Sequence, residues 1–281
     1  MKTLLQINSV YNFRSTGKIV EGIGELALLN GWKSYVAYGL VARPGKSEQV
    51  KIGNKWDVYL HGIKTRLFDQ HGFGSYKATV RLIEKIKEIK PDIIHLHNIH
   101  NYYINIQVLF DYLKEANIPV VWTLHDCWSM TGHCYHFTRI GCEKWKTECH
   151  HCPQKKEYPA SFFLDRSRKN HQLKKEIFSS VNNLTIVPVS VWLGSIVKQS
   201  YLSKYSVHVI NNGINLNIFH ADNKLINIRS KYNIDNKFII LGVATSWNND
   251  KGLKEFIELS KNPDWKVVLI GVSETVKRRL P

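Results

Sequence analysis

The sequence predicts an α/β fold built on a parallel, Rossmann-like sheet. Short apolar runs alternate with amphipathic stretches of helical periodicity along most of the 281 residues, and this order is typical of parallel strands joined by right-handed crossovers. One apolar run, residues 118–124, ends directly in His125 and Asp126. Because open α/β sheets bind ligands at the carboxyl ends of their strands, we expect a binding site there.

The first half of the chain supplies three strands and two helices. Apolar residues at helical spacing from Ile19 predict a first helix, which Gly31 stops, and the apolar positions of a second helix lie on one side before Pro91 ends it. Residues 42–74 carry scattered glycines and charges and are predicted to be loop with short elements. The predicted strands are residues 3–7, 32–38 and 92–97, and the second helix is residues 79–90.

The second half of the chain continues the alternation of strands and helices, and a new unit begins near its end. The predicted helices are residues 105–116, a basic stretch at 165–179 and a helix containing Trp192, Ile196 and Val197; the strands are residues 118–124, 184–190 and 207–211. We assign residues 1–215 to a first domain and residues 216–236, with a short helix at 226–232, to a linker.

Residues 237–281 begin a second β-α-β unit, with strands at 238–243 and 265–270 and a helix at 252–260. Two strands and one helix bury little core, so we expect a partial domain in a chain that continues beyond Pro281.

The charge balance favours acidic partners. Lys and Arg number 39 against 23 Asp and Glu, a formal net charge of +16, which suits nucleic acid, anionic lipid or phosphorylated small molecules without choosing among them. No run reaches the roughly 18 apolar residues of a membrane span. All five cysteines lie between Cys127 and Cys152, unlike the spread framework of a secreted protein. We therefore expect a cytoplasmic protein.

The cysteines have the spacing C-x7-C-x6-C-x2-C over Cys134, Cys142, Cys149 and Cys152, with Cys127 left over. Four thiolates could hold a structural zinc ion that staples the loop. The spacing departs from the common double C-x2-C pattern, and nearby histidines could replace any member. Free thiols or disulfides remain the alternatives. The candidate histidines are His133, His136, His150 and His151.

Three further positions suit a phosphorylated or hydroxylated ligand. Gly17 follows the loop after the first strand and opens a helix, whose free N–H groups favour an anion; a simple start of a helix is the alternative. His125 can donate to a sugar hydroxyl or phosphate while neutral. Lys251 precedes the helix of the second unit, where an ammonium could face a phosphate. His95 and His97 share one face of a strand, and we expect hydrogen-bonded histidines there rather than a metal site.

Together these segments resemble glycosyltransferase family four, retaining enzymes of the GT-B fold, and in particular the bacterial colanic-acid type that builds capsular polysaccharide and exopolysaccharide. The resemblance covers nearly the whole chain in the family's order. It rests on Lys90-Pro-Asp-Ile-Ile-His-Leu-His97, Thr123-Leu-His-Asp126 with the cysteine loop, Val187-Pro-Val-Ser190, Ile210-Asn-Asn-Gly-Ile-Asn215 and Asp250-Lys-Gly-Leu253.

The resemblance implies two Rossmann-like domains, an acceptor-side domain and a domain that binds a nucleotide-sugar donor, UDP- or GDP-linked. It places Gly17 near the donor phosphates, His125 at the transferred sugar or its departing phosphate, and Lys251 at the diphosphate. Asp126 joins His125 as a candidate catalytic residue, and Ser190, Asn212 and Gly213 are assigned to the acceptor side. The family needs no metal for catalysis, because cationic groups stabilise the leaving nucleoside diphosphate.

Three departures from the family pattern affect these assignments. Thr245 and Ser246 occupy the positions of a usual Gly-Arg pair, so one cationic contact is absent or supplied elsewhere. Asn215 replaces a usual aspartate, and the family's acidic E-x7-E segment is not in residues 1–281. We expect a chain that ends at Pro281 to bind the donor poorly and to be inactive.

We therefore expect a hexosyltransferase of cell-surface polysaccharide synthesis, acting on a lipid-linked or oligosaccharide acceptor and peripheral at the inner membrane face. The alternative is a non-catalytic basic module, stapled by zinc, that binds nucleic acid or polyanionic glycan; the first reading expects no nucleic acid. The residues expected to contact anionic lipid are Lys155, Lys156, Arg166, Arg168, Lys169, Lys174 and Lys175.

Overall fold

The computed structural model describes residues 1–220, 228–232, 237–278 and 280, and the predicted linker helix at 226–232 lies partly outside these ranges. The described chain divides into two compact units, Met1–Ile214 and Asn215–Pro281. Within the described ranges, every helix is too short or too polar to cross a bilayer.

The first unit is a seven-stranded sheet in which every neighbouring pair of strands is parallel. The strands are β1 (Thr3–Asn8), β2 (Lys33–Tyr38), β3 (Glu48–Lys51), β4 (Ile93–Leu96), β5 (Val120–Leu124), β6 (Leu184–Pro188) and β7 (Ser206–Val207). Their order in the sheet is β3-β2-β1-β4-β5-β6-β7. The chain therefore reverses its direction of winding between β1 and β4, the kind of position at which doubly wound sheets bind ligands.

Six helices connect these strands: α1 (Arg14–Leu29), α2 (Lys55–Phe68), α3 (Tyr76–Ile89), α4 (Ile106–Ala116), α5 (Ser167–Phe178) and α6 (Val191–Lys198). The central strands are buried on both faces, as expected where helices cover a parallel sheet: all six residues of β1 are buried. Phe110, Trp122 and Phe178 pack together beneath the sheet, with ring centroids 4.8–5.7 Å apart.

The second unit contains a two-stranded parallel sheet, β8 (Phe238–Val243) and β9 (Trp265–Ile270), with α7 (Ile228–Lys231), α8 (Leu253–Leu259) and α9 (Glu274–Lys277). Phe238, Leu241 and Ile270 are exposed. Trp247 is the buried centre of this unit: it packs edge-on against Phe256 and donates its indole N–H to the Ile270 carbonyl at 2.9 Å.

The prediction for residues 42–74 was wrong. This segment contains β3 and the four-turn helix α2, which begins with a full capping box: the Asn54 side chain accepts from backbone N–H groups, and the Asp57 side chain accepts from the Asn54 N–H. The apolar residues of α2 recur at helical spacing, but they face solvent instead of the core. The strand predicted at 207–211 begins as β7 (Ser206–Val207), and beyond it the N–H groups of His208 and Ile210 still donate to the carbonyls of Ile186 and Pro188 in β6 at 3.0 and 3.1 Å.

A buried carboxylate, Asp69, ties three separate segments together. Its side chain accepts from His133 Nδ1 at 2.6 Å and from the Arg166 N–H at 2.8 Å, and its carbonyl accepts from the Asn170 side chain at 2.7 Å. Both side chains of the Asp69–His133 pair are fully buried. The hydrogen bond to Asp69 raises the pKa of His133 against the opposing effect of burial. The end of α2, the cysteine loop and the start of α5 are thus held at one point.

We predict that Asp69→Ala lowers the free energy of unfolding by about 3–5 kcal/mol, because it leaves the buried imidazole of His133 and the backbone N–H of Arg166 without their partner. Urea unfolding measures the change. Asp111→Ala, at an exposed aspartate of α4 that accepts from Gln107, is the control and should cost less than about 1 kcal/mol. Equal losses in the two variants would contradict the role given to Asp69.

Candidate functional site

The strands β4 and β5 bring three histidines together beside β1, where the winding of the sheet reverses. His95, His97 and His125 stack as one column: the ring centroids of His95 and His97 are 4.2 Å apart, and those of His97 and His125 are 5.6 Å apart. His95 also bonds the Thr123 hydroxyl of the next strand at 2.8 Å. His125 is the half-buried end of this column.

Hydrogen bonding fixes which nitrogen of His125 carries its proton. The Gln6 amide donates to the Val20 carbonyl at 2.9 Å, so the Gln6 oxygen is left to accept from His97 Nε2 at 3.2 Å. His97 Nδ1 then has no proton and accepts from His125 Nε2 at 3.3 Å. In neutral His125, the proton is therefore on Nε2, and Nδ1 offers a lone pair.

The buried surroundings keep this column neutral. Burial lowers the pKa of His125 to about 4, helped by His100 and opposed by Asp126. Burial likewise lowers the pKa of His95 to about 4 and that of His97 well below its ordinary value. Desolvation disfavours the imidazolium form, so at neutral pH these rings act as hydrogen-bonding groups and not as cations.

Asp126 is held by both of its oxygens. Oδ2 accepts from His100 Nε2 at 2.8 Å, and Oδ1 accepts from the Trp128 N–H at 2.9 Å. Burial alone would raise the pKa of Asp126, but His100, by its charge and its hydrogen bond, and the Trp128 N–H lower it. The carboxylate stays ionised and is oriented toward the loop that follows β5.

A small pocket lies beside Asp126. His100, Trp128 and Ser129 line it, and each has a buried polar atom without a hydrogen-bond partner among the residues that the structure describes: His100 Nδ1, Trp128 Nε1 and Ser129 Oγ. His71 packs on His100 and Trp128 from behind. Since buried polar groups are normally satisfied, this cavity has the chemistry to take a ligand hydroxyl or ordered water.

The amino-terminal end of α1 follows β1 on the same edge of the sheet. Gly17, predicted to open this helix, lies in its second turn and is buried. A Cβ atom there would be 3.2 Å from the Asn12 nitrogen and from Val10 Cγ2, so glycine lets the loop pass close to the helix. Cationic side chains surround the loop: Arg14 and Arg43 lie over the Phe13 ring, and Lys18 donates to Asn12.

Within the first unit, the residues predicted for the acceptor side lie outside this cluster. Ser190 caps α6 by accepting from the Leu193 N–H at 3.1 Å, while Asn212 and Gly213 are exposed after β7. In the second unit, Thr245 and Ser246 are exposed in the loop after β8, and Lys251 ends a short 3-10 turn capped by Asn248.

The predicted zinc site finds no support. Across the described parts of the chain, no group of three or more His, Cys, Asp or Glu side chains has the arrangement of a metal site, and Cys134, Cys142, Cys149 and Cys152 are free cysteines. Cys134 hydrogen-bonds Cys152, which lowers the pKa of Cys152 to about 7, and the Gly132 N–H donates to Cys149 Sγ at 3.3 Å. We assign no metal to this loop.

Lys174 fixes the position of the loop that follows β5. This buried lysine was predicted to contact lipid, and that prediction was wrong. Its ammonium donates to the Trp128 and Thr131 carbonyls at 2.8 and 3.0 Å and lies 3.5 Å from the centroid of the Trp128 ring. The helix α5 thus fixes the backbone that orients Asp126.

Sequence reasoning did not find Gln6, His71, His100 or Trp128. His100 could have been recognised, because it follows His97 by three residues, just beyond the same strand. The buried glutamine of β1 gave no signal, since its partners come from α1 and β4.

We predict that the protein loses stability as the pH falls from about 6.5 to about 4. Histidines of the unfolded chain take up protons near pH 6.5, whereas burial lowers the pKa of His61, His95 and His125 to about 4. Stability from these groups is therefore present above pH 6.5 and lost toward pH 4. Urea unfolding at several pH values gives the slope of the free energy of unfolding against pH. This slope should fall by the equivalent of about one proton in His95→Gln and stay unchanged in the surface control His151→Gln. Stability that does not change with pH in this range would contradict the prediction.

Solved structures share this architecture. HepE (Alr3699) from Anabaena, solved with UDP and glucose, matches with a TM-score of 0.52 at 12% identity, over 96% of this chain and 60% of that chain. The UDP-forming α,α-trehalose-phosphate synthase of Burkholderia vietnamiensis matches with a TM-score of 0.51 at 11% identity, over 99% and 66% of the two chains. The predicted α/β class with a GT-B fold is confirmed.

Sequence comparison gives the family. The protein named as colanic acid biosynthesis glycosyl transferase WcaC of Escherichia coli (strain K12) is 29% identical over 230 residues, which are 76% of this chain and 55% of that protein. The chain thus spans about half the length of this relative. The sequence profile described as Glycosyltransferase Family 4 matches residues 31–218. The chain belongs to glycosyltransferase family 4.

Proposed function

We propose that this protein transfers a hexose from a nucleotide-diphosphate sugar to a glycan acceptor during synthesis of a cell-surface polysaccharide. The observation that carries the proposal is the neutral, half-buried His125 at the carboxyl end of β5, with its tautomer set by Gln6 and His97. The WcaC relative and the family membership support the biological setting.

His125 is suited to a sugar rather than to a free anion. With Nε2 donating to His97, its Nδ1 lone pair can accept a hydrogen bond from a sugar hydroxyl. The pKa of about 4 makes it a weak base, so its contribution is orientation and polar contact at the reacting sugar. The cavity beside Asp126 supplies further groups for hydroxyls, from His100, Trp128 and Ser129.

We assign the phosphates of the donor to cationic and backbone groups. The cations around the start of α1, Arg14, Lys18 and Arg43, and the helix end itself favour an anion. In the second unit, Lys251 with Thr245 and Ser246 is proposed to bind the diphosphate. The relatives HepE and trehalose-phosphate synthase involve UDP, and we propose UDP or GDP as the nucleotide.

The hydrogen bonds of Asp126 fit a reaction that retains the configuration of the anomeric carbon without a nucleophile from the protein. Both of its oxygens are engaged, by His100 and by the Trp128 N–H, so it is poorly placed to act as a nucleophile. In the proposed reaction, the acceptor oxygen bonds to the anomeric carbon on the face from which the phosphate leaves. The departing phosphate oxygen takes the proton of the acceptor. Asp126 then acts as a positioning residue.

Ligand binding and transfer test the function. In the full-length protein, UDP, GDP and their hexose conjugates should raise the melting temperature, and one conjugate should support transfer of labelled hexose to an oligosaccharide or lipid-linked acceptor. If no nucleotide or nucleotide sugar shifts the melting temperature and no label is transferred, the proposal fails.

We predict that His125→Ala lowers kcat for transfer by about 100-fold or more, the size of loss expected for a preorganised polar contact at the reacting centre. His151→Ala, at an exposed histidine of the cysteine loop, is the matched control and should leave kcat unchanged. Comparable kcat values for His125→Ala and the unaltered protein would remove His125 from the mechanism.

We predict that Gln6→Leu lowers kcat while the KM for the donor changes little, because the proton positions of His97 and His125 are no longer fixed. The ¹⁵N chemical shifts of the imidazole rings separate this effect from a general loss of structure: His125 should change from one tautomer to a mixture. A variant with reduced kcat but unchanged ring shifts would contradict the positioning role of Gln6.

A further inference from the structure

The outward face of α2 is apolar. Trp56 is 71% exposed, Leu60 is 60% exposed, and Tyr59 between them is equally open to solvent. Ile63 and Leu67 continue the same face and are half-buried. Steps of three and four residues place these side chains in one stripe. A surface helix normally turns such a stripe into the core, whereas α2 turns it outward.

Hydrogen bonds fix α2 in this orientation. Its inward face carries His61, Gly62 and Thr65, all buried. His61 Nε2 accepts from the N–H groups of Gly72 and Gly74 at 3.1 and 3.2 Å, and its Nδ1 lies 3.0 Å from the Ser75 hydroxyl. Turning the stripe inward would break these bonds, so its exposure belongs to the folded state.

A second segment extends the apolar surface. Phe162, Phe163 and Leu164 are exposed, and Phe163 is 70% exposed. The Phe162 N–H donates to the Arg66 carbonyl at 2.8 Å, which joins this loop to the last turn of α2. We call the combined surface the α2 patch. Its members are Trp56, Tyr59, Leu60, Phe162, Phe163 and Leu164.

Basic side chains border the α2 patch. Helical geometry places Lys64 on one flank of the stripe and Lys55 and Arg66 on the other, and all three are exposed. Asp57 is the single acidic residue of α2, and its carboxylate accepts from the Asn54 N–H and lies 3.4 Å from Arg81. The border is therefore positive on both sides.

We propose that the α2 patch docks onto an anionic lipid bilayer. Aromatic and aliphatic side chains flanked by lysine and arginine are typical of helices that lie in the membrane interface, where the apolar face enters the acyl boundary and the cations meet the headgroups. A second copy of this chain, with a net charge of +16, would bring like charges together, whereas an anionic surface complements both the apolar face and its border.

The basic helix α5 is a weaker candidate for the same role. Lys174 is buried within the protein, and Arg168 pairs with Glu148 at 2.9 Å. The solvent-facing positions of α5 include Lys169 and Lys175 but no large exposed apolar side chain. Charge without an apolar face gives only screened, surface attraction, so the α2 patch and not α5 should determine membrane binding.

This inference goes beyond the proposed transfer reaction and needs no activity to be tested. Sedimentation with vesicles of phosphatidylcholine, with and without phosphatidylglycerol, should show binding that requires phosphatidylglycerol. Leu60→Glu should lower the partition coefficient by about tenfold or more, since it removes a leucine from the interface and adds a negative charge. Leu26→Glu is the matched control, because Leu26 of α1 is 61% exposed, and it should bind like the unaltered protein.

Charge variants separate the two surfaces. Lys55→Gln with Lys64→Gln should weaken binding more than Lys169→Gln with Lys175→Gln. The proposal is overturned if Leu60→Glu binds as the unaltered protein does, if both leucine variants lose binding equally, or if the lipid charge has no effect. It is also overturned if light scattering shows a dimer that Leu60→Glu dissociates, while vesicles bind neither the unaltered protein nor the variant. In that case a second copy of the chain occupies the patch.

Discussion

The chemistry of the site depends on one backbone carbonyl, that of Val20 in α1. It accepts from the Gln6 amide, and that bond decides the orientation of every hydrogen bond along the row from Gln6 to His97 and His125. A carbonyl oxygen can only accept a hydrogen bond. As long as the imidazoles are neutral, the donor and the acceptor of each hydrogen bond in this row are therefore fixed. Burial provides that neutrality. The packing of α1 on β1 therefore sets the protonation pattern of a ring at the end of β5, two strands away from β1.

Most of the first unit could be predicted because its signals are local. Apolar runs that end in Asn8, His97 and His125 identified the strands of the central sheet, and β1, β4 and β5 are found there. The apolar residues of α2, such as Trp56 and Leu60, have helical spacing, but periodicity does not tell that this stripe faces outward. The two residues that fix the inward face, His61 and Thr65, are polar and give no such signal.

The candidate site was predictable only in part, for a related reason. His125 and Asp126 follow a strand directly, so the sequence places them at the edge of the sheet. Their partners come from elsewhere: Gln6 precedes His97 by 91 residues, and His100 precedes Asp126 by 26. Spacing along the chain cannot report such contacts. The cysteines are the opposite case: a conspicuous local pattern suggested a metal, which the described residues do not support, and the loop is held by the ammonium of Lys174, an inconspicuous member of a basic run.

The contacts of Asp69 have a consequence for the order of folding. This residue joins His133, Arg166 and Asn170, which are 64, 97 and 101 positions further along the chain. Such distant contacts close large loops and form late, because the entropy of closure is lost before the contact stabilises the chain. The pairs β1–β2 and β4–β5 close much shorter loops, since Thr3 pairs with Lys33 and Ile94 pairs with Val120. The loop that orients Asp126 is completed only after α5 docks, so a folding chain can pair these strands before it acquires a competent site.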